Sequence, residues 1–214
     1  MVQATNEFDP NCRQCPRLVR FLRAVRKQHE DYHAAPVPPF GVARPRLLIV
    51  GLAPGMHGAN ATGRPFTGDY AGILLYESLY KLGFSNKPES VKRADGLKLK
   101  GCRITNAVKC LPPENKPTND EITCCNNYLY HEIKGLPKQA VILALGAIAH
   151  KAVLKSLDMK QSTHPFGHGH KHALDSGRWL LDSYHCSRYN TQTGRLTERM
   201  FIDVLEKARN LSDP

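Results

Sequence analysis

The chain has no run of eighteen apolar residues, so nothing in it reads as a membrane-spanning helix. Its first residues, MVQATNEFDPNC, lack the basic-then-apolar pattern of an export signal, and the expected location is the cytoplasm. There is no internal repeat and no second composition regime, which leaves residues 1–214 as one expected domain. With 41% hydrophobic and 23% charged residues the composition is that of a soluble globular protein. What is present in excess is positive charge. A formal net charge of +11 favours a polyanionic partner, because each phosphate neutralised releases counterions.

The segment Gly51 to Gly72, GLAPGMHGANATGRPFTGDYAG, holds six glycines and two prolines and almost no side chains suited to a core. It follows Leu47-Leu48-Ile49-Val50, which reads as a buried strand. A strand opening into a glycine-rich loop marks a ligand site at the carboxyl edge of a parallel sheet.

Four apolar segments are expected as central strands: residues 46–52, 102–109, 141–146 and 179–184. Helical patterns cover 16–32, 72–82, 119–134, 147–156 and 196–210; in the last, Leu196, Met200, Val204 and Leu205 share one face. Alternation of strands and helices predicts an α/β fold with a mostly parallel sheet covered on both faces. Residues 87–101 and the histidine- and glycine-rich 162–177 read as loops. The run His168, His170, Lys171, His172 is taken as a DNA-facing loop in preference to a metal site.

In a chain of intracellular character the seven cysteines point to ligands or reduced core thiols rather than disulfides. Cys12 and Cys15 form a CxxC, and Cys110 ends a strand. Thr118 and Glu121 make a capping box that starts a helix at Asn119, placing Cys125 on its apolar stripe while Cys124 points about 100° away. Four thiolates of this kind suit either a tetrahedral zinc or an iron-sulfur cluster, and spacing does not choose. At the carboxyl end of another strand stands His185, where α/β ligand sites form. The Gly51 loop, Asn106 and His185 are thus three strand ends with polar groups able to converge.

Taken together, GLAPG with TGRPFTGD, NAVKCLPP with NKPT and the glutamate-to-cysteine helix, and the ending SYHxSxxNTQTGRLT resemble the uracil-DNA glycosylase superfamily, most closely its family 5 branch. The resemblance spans nearly the whole chain. It implies a three-layer α/β/α fold around a central four-stranded parallel sheet, and a monomer acting on DNA that contains uracil or other deaminated bases such as hypoxanthine. It also implies a structural [4Fe-4S] cluster, held by Cys12, Cys15, Cys110 and Cys125, that ties in the N-terminal segment.

Chemistry on a base within a duplex requires flipping the nucleotide into a pocket. Glycosidic cleavage builds positive charge on the sugar and negative charge on the departing base, so a carboxylate and a hydrogen-bond donor both help. Asp69 is the one carboxylate of the glycine-rich motif, and Phe66 is the stacking platform. Family 4 relatives carry an acidic residue where this chain has Leu52; by resemblance to family 5 the water-positioning group is Asp69. Asn106 then contacts the base and assists catalysis, and His185 hydrogen-bonds the leaving group, so that Asp69, Asn106 and His185 are the catalytic set that the resemblance implies. Gly51, Leu52, Ala53, Pro54, Gly55, His57 and Ser187 join Phe66 as base-pocket residues; Arg64, Arg188 and Asn190 are assigned to DNA contact, with holding the loop as the alternative for Arg64. Two departures stand out: Ala61 where arginine is common, and Cys186 in place of a proline, which frees a φ angle. The alternative reading, of another class, is a non-catalytic iron-sulfur protein that recognises damaged DNA.

Overall fold

A computed structural model describes residues 8–212. The sheet is built on fully buried apolar runs. Strands β2 (Leu47–Gly51) and β4 (Val141–Leu145) are buried at every position, the pattern of strands covered on both faces. They pair in parallel with each other, β2 with β3 (Cys102–Asn106), and β4 with β6 (Trp179–Ser183). The four expected central strands are therefore present and parallel. Two short antiparallel strands extend them, β1 (Phe40–Gly41) beside β3 and β5 (Lys171–Ala173) beside β6, giving the order β1-β3-β2-β4-β6-β5. At two and three residues, neither edge carries an alternating pattern that a sequence window detects.

Successive residues of a strand face opposite sides, and the two cores follow from this. Leu47 and Ile49 pack with Leu143, Leu181 and the buried faces of α3 (Tyr70–Lys81) and α7 (Glu198–Ser212). Leu48 and Val50 pack with Ile142, Leu180 and the faces of α4 (Asn119–Lys134) and α5 (Ala147–Ser156). Each of these fully buried aliphatic side chains contributes about 1.5–3 kcal/mol by leaving water. The result is the expected three layers.

Helix α1 (Pro16–Gln28) begins with proline in its first turn and stops four residues before the expected end, where His29 leaves helical geometry. The capping box of α4 is formed: Glu121 N–H donates to Thr118 Oγ1 at 3.3 Å and Thr118 N–H donates to Glu121 Oε2 at 2.8 Å. Arg17 grips the same carboxylate with two bonds of 2.7 Å, so one basic residue of α1 fastens the helices together. Two short helices, α2 (Ala59–Thr62) and α6 (Arg188–Gln192), flank the carboxyl edge of the sheet and are too short to show a helical period. No described helix is long and apolar enough to cross a membrane.

Candidate active site

Strands β2, β3 and β6 run in parallel, so their carboxyl ends deliver the Gly51 loop, Asn106 and the His185 segment to one edge. A pocket of about 340 Å³ opens there, lined by Leu52, Ala53, Gly55, Phe66, Asp69, Asn106, His185, Ser187 and Arg188. Gly51 allows this convergence. A Cβ on it would stand 2.5 Å from Asn106 Oδ1 and 2.7 Å from Phe66 Cζ.

Phe66 sits at φ 56°, a left-handed conformation that costs a non-glycine residue about 1–3 kcal/mol. The surroundings hold it there. Its carbonyl lies where a Cβ of Gly72 would be, Tyr76 Oη donates to Pro65 O at 2.8 Å, and Thr62 Oγ1 donates to Thr67 O at 3.2 Å. The ring packs against His185, centroids 5.9 Å apart and planes 28° from parallel.

Asp69 immediately precedes α3, and its Oδ2 accepts the Ala59 N–H at 3.1 Å. The carboxylate occupies the space a Cβ of Gly58 would need, at 1.9 Å. Burial raises its pKa, opposed by that N–H and by the charge of His57. Asn106 is 3% exposed, and its Oδ1 is buried without a hydrogen-bond partner. Such an acceptor is costly unless a ligand satisfies it. Burial lowers the His185 pKa to about 4, so the imidazole is neutral near pH 7 and donates from one nitrogen only.

The remaining assigned residues divide. Pro54 is buried behind the wall, while His57 is exposed outside the pocket, its Nδ1 2.8 Å from Tyr32 Oη and its ring edge-on to those of His29 and Tyr32. Arg188 is exposed at the pocket mouth with its guanidinium over Tyr70, 4.8 Å from the ring centroid. Two residues assigned to DNA contact are engaged within the fold, Arg64 in the loop-holding way that was its alternative. Arg64 is 4% exposed and saturated by Asp95, Ser90 Oγ and Arg93 O, with Phe40 beneath its guanidinium; it anchors the loop 90–97 and presents nothing to a phosphate. Asn190 turns inward, its Nδ2 donating to His185 O at 2.8 Å, so it positions the histidine. Sequence reasoning missed Ala59, Tyr70, Ala71 and Asn115 in the lining. Tyr70 and Ala71 directly follow Asp69, and Asn115 lies in a Pro-Pro-Glu-Asn turn at φ 56°, a conformation asparagine tolerates.

Cys12, Cys15, Cys110 and Cys125 meet at a second, mostly apolar cavity shared with Leu18, Val108 and Tyr128. Cys124 also reaches its rim, where its Sγ donates to Gln14 Oε1 at 3.3 Å; the angular offset on the helix is therefore not enough to remove it. Cys125 Sγ accepts the Lys109 N–H at 3.3 Å. Burial and the neighbouring sulfurs raise the Cys110 thiol pKa, and burial followed by Cys124 raises that of Cys15 to about 12. Several sulfurs facing one space, Cys125 buried and the others half-buried, form a donor set suited to a thiophilic metal.

Residues 38–209 match the model of the uracil DNA glycosylase superfamily. A type-5 uracil-DNA glycosylase of Thermus thermophilus is 50% identical over 206 residues, covering 94% of each chain. One from Pyrobaculum aerophilum is 44% identical over 92% of this chain and 88% of its own. The type-4 enzyme of the same organism is more distant, at 38% identity over 72% of this chain and 65% of its own. With a pocket at the carboxyl ends of parallel strands and these likenesses along its length, the chain belongs to the uracil-DNA glycosylase superfamily, among its type-5 members.

Proposed function

We propose that this chain, acting as a single-domain monomer in the cytoplasm, excises uracil from DNA by hydrolysis of the glycosidic bond and leaves an abasic site. The observation that carries the reading is the orphaned Oδ1 of Asn106 inside the pocket, beside the Phe66 ring and the Asp69 carboxylate. An imide N–H of a flipped uracil supplies the missing donor, and the amide nitrogen donates to the adjacent carbonyl. Phe66 forms the wall against which the base lies. Asp69, in its ionised form, orients the attacking water and offsets positive charge on the sugar. Neutral His185 donates to the oxygen that gains negative charge on the leaving base, with Asn190 fixing its backbone. The asparagine amide presents donor and acceptor together, so hypoxanthine belongs to the same substrate class. Arg188 and Ser187, at the rim, face the flanking backbone.

The cysteine cavity fits a [4Fe-4S] cluster better than a single zinc. Four sulfurs on one tetrahedral ion lie about 3.8 Å apart. Among the described residues, however, the one group of three or more ligand atoms all within 4.8 Å of one another contains no cysteine. Cys12, Cys15, Cys110 and Cys125 would hold the cluster, which would cross-link the N-terminal segment, the loop after β3 and α4. Hydrolysis requires no electron from it.

The test is alkali-revealed strand breakage of a uracil-containing oligonucleotide. Wild type is expected to cut, with Asp69→Asn slowed roughly 10²–10⁴-fold in single turnover while still binding the DNA. Binding without breakage on uracil and hypoxanthine strands by the wild type would overturn the reading in favour of a damage-recognition module.

A further inference from the structure

The histidine-rich segment did not enter the site above, yet the fold brings part of it against two residues that no spacing connects to it. His150 in the first turn of α5, His172 on β5 and Asp182 on β6 place one ligand atom each within 4.8 Å of one another. His150 and Asp182 are essentially inaccessible, and the His172 side chain is 11% exposed. His150 Nδ1 lies 2.7 Å from Asp182 Oδ1, and His172 Nε2 lies 3.4 Å from Asp182 Oδ2.

We propose that His150, His172 and Asp182 form a binding site for a zinc-class divalent ion, separate from both the base pocket and the cysteine cavity.

Three observations support it. First, His150 Nε2 is 2.9 Å from the His164 carbonyl, which must accept a hydrogen from it. That bond places a hydrogen on Nε2 and leaves Nδ1 facing the carboxylate, where a metal would take the place of the hydrogen shared with Asp182; a backbone carbonyl behind a ligating imidazole is the usual support of a metal site. Second, His172 Nε2 is buried and makes no hydrogen bond, its nearest oxygen being Asp182 Oδ2 at 3.4 Å, so its position toward the carboxylate has no partner of its own. Third, the Asp182 carboxylate is fully buried; apart from the histidines, Oδ2 receives only a long bond of 3.4 Å from Gly167 N–H. Its one close partner is the His150 ring, and a divalent ion held between carboxylate and imidazoles would offset its charge.

Two imidazoles and one carboxylate select zinc or its neighbours in the first transition row over magnesium or calcium. Water or His164 completes the coordination; the His164 ring centroid is 5.5 Å from that of His172, and its Nδ1 is engaged by Lys160 O at 2.9 Å. The ion would bind three elements together just before His185. The same segment already supports that strand end, since His168 Nδ1 accepts the Tyr184 N–H at 3.2 Å and its ring stacks on Tyr184 at 5.1 Å. The role is bracing, and the site stands whether or not the glycosylase reading holds.

The test uses the full chain purified without oxygen, with its iron-thiolate absorbance recorded, stripped with a chelator and then titrated with zinc and with cobalt(II). Wild type should take up about one equivalent. Cobalt should give visible ligand-field bands without a thiolate charge-transfer band, and zinc should raise the melting temperature. In His172→Ala, on a three-residue edge strand, affinity should fall at least about tenfold and the zinc-dependent rise should vanish, with the iron-thiolate spectrum unchanged. Asp182→Asn should behave alike if it folds. No uptake by wild type, undiminished uptake by His172→Ala, or a thiolate band with cobalt would each overturn the site, the first leaving a buried histidine-aspartate pair.

Discussion

Asp69 and His185 share one pocket, yet burial moves their titrations in ways that both favour the neutral form. For Asp69 the shift is upward, so the ionised carboxylate is lost as pH falls through a range above that of an ordinary aspartate. His185 stays neutral down to about pH 4 and adds no limb near its usual 6.5. The single-turnover rate on a uracil oligonucleotide should therefore decline on the acid side with one titration, and Asp69→Asn should flatten it. A limb centred near 6.5 that disappears in a His185 variant would reverse the assignment. Stability follows its own sign. The unfolded chain binds a proton at His185 from about pH 6.5 downward and the folded chain only near 4, so this residue destabilises the fold progressively as pH falls between those values.

At the scale of the element, the loop that carries the pocket is held by its own buried ion pair. Burial opposes ionisation of Asp95, but the N–H groups of Leu97, Val91 and Lys92 and the Arg64 guanidinium hold its pKa down at about 2. Arg64→Ala leaves that carboxylate uncompensated. It should cost roughly 3–5 kcal/mol in denaturant unfolding while leaving the salt dependence of DNA binding unchanged; a lost phosphate contact with intact stability would restore the original assignment. Arg64 also shows where sequence reading stops. Between Gly63 and Pro65 its role stays open, phosphate contact or holding the loop, because its partner, Asp95, lies thirty-one residues away across a polar segment. The central strands were legible because Leu47 to Val50 and Val141 to Leu145 are continuous apolar runs, and the start of α4 because a capping box is local. The meeting of His150 with His172 and Asp182 was not, since parallel pairing and helix rotation create it. Lys109 is similar: nothing near it in sequence names a partner, yet it is buried and donates to Glu132, twenty-three residues on, at 2.6 Å.

For the molecule as a whole, a net charge of +11 acts on DNA before any base is read. Affinity for uracil-free duplex should fall linearly in log-log form with salt, with a slope steeper than about −2.7, equivalent to three neutralised phosphates. Titrations monitored by fluorescence anisotropy at several salt concentrations measure it, and a flat response would remove the electrostatic reading of the composition. The sheet's margins bear on a different hazard. β1 offers only two residues, one of them Gly41 at φ 128°, where a Cβ would strike Cys102 O at 2.4 Å, and β5 offers three. Neither margin is long enough to template an added strand from another chain. A hydrophobic parallel sheet thus keeps both of its backbone margins closed to amyloid-like growth.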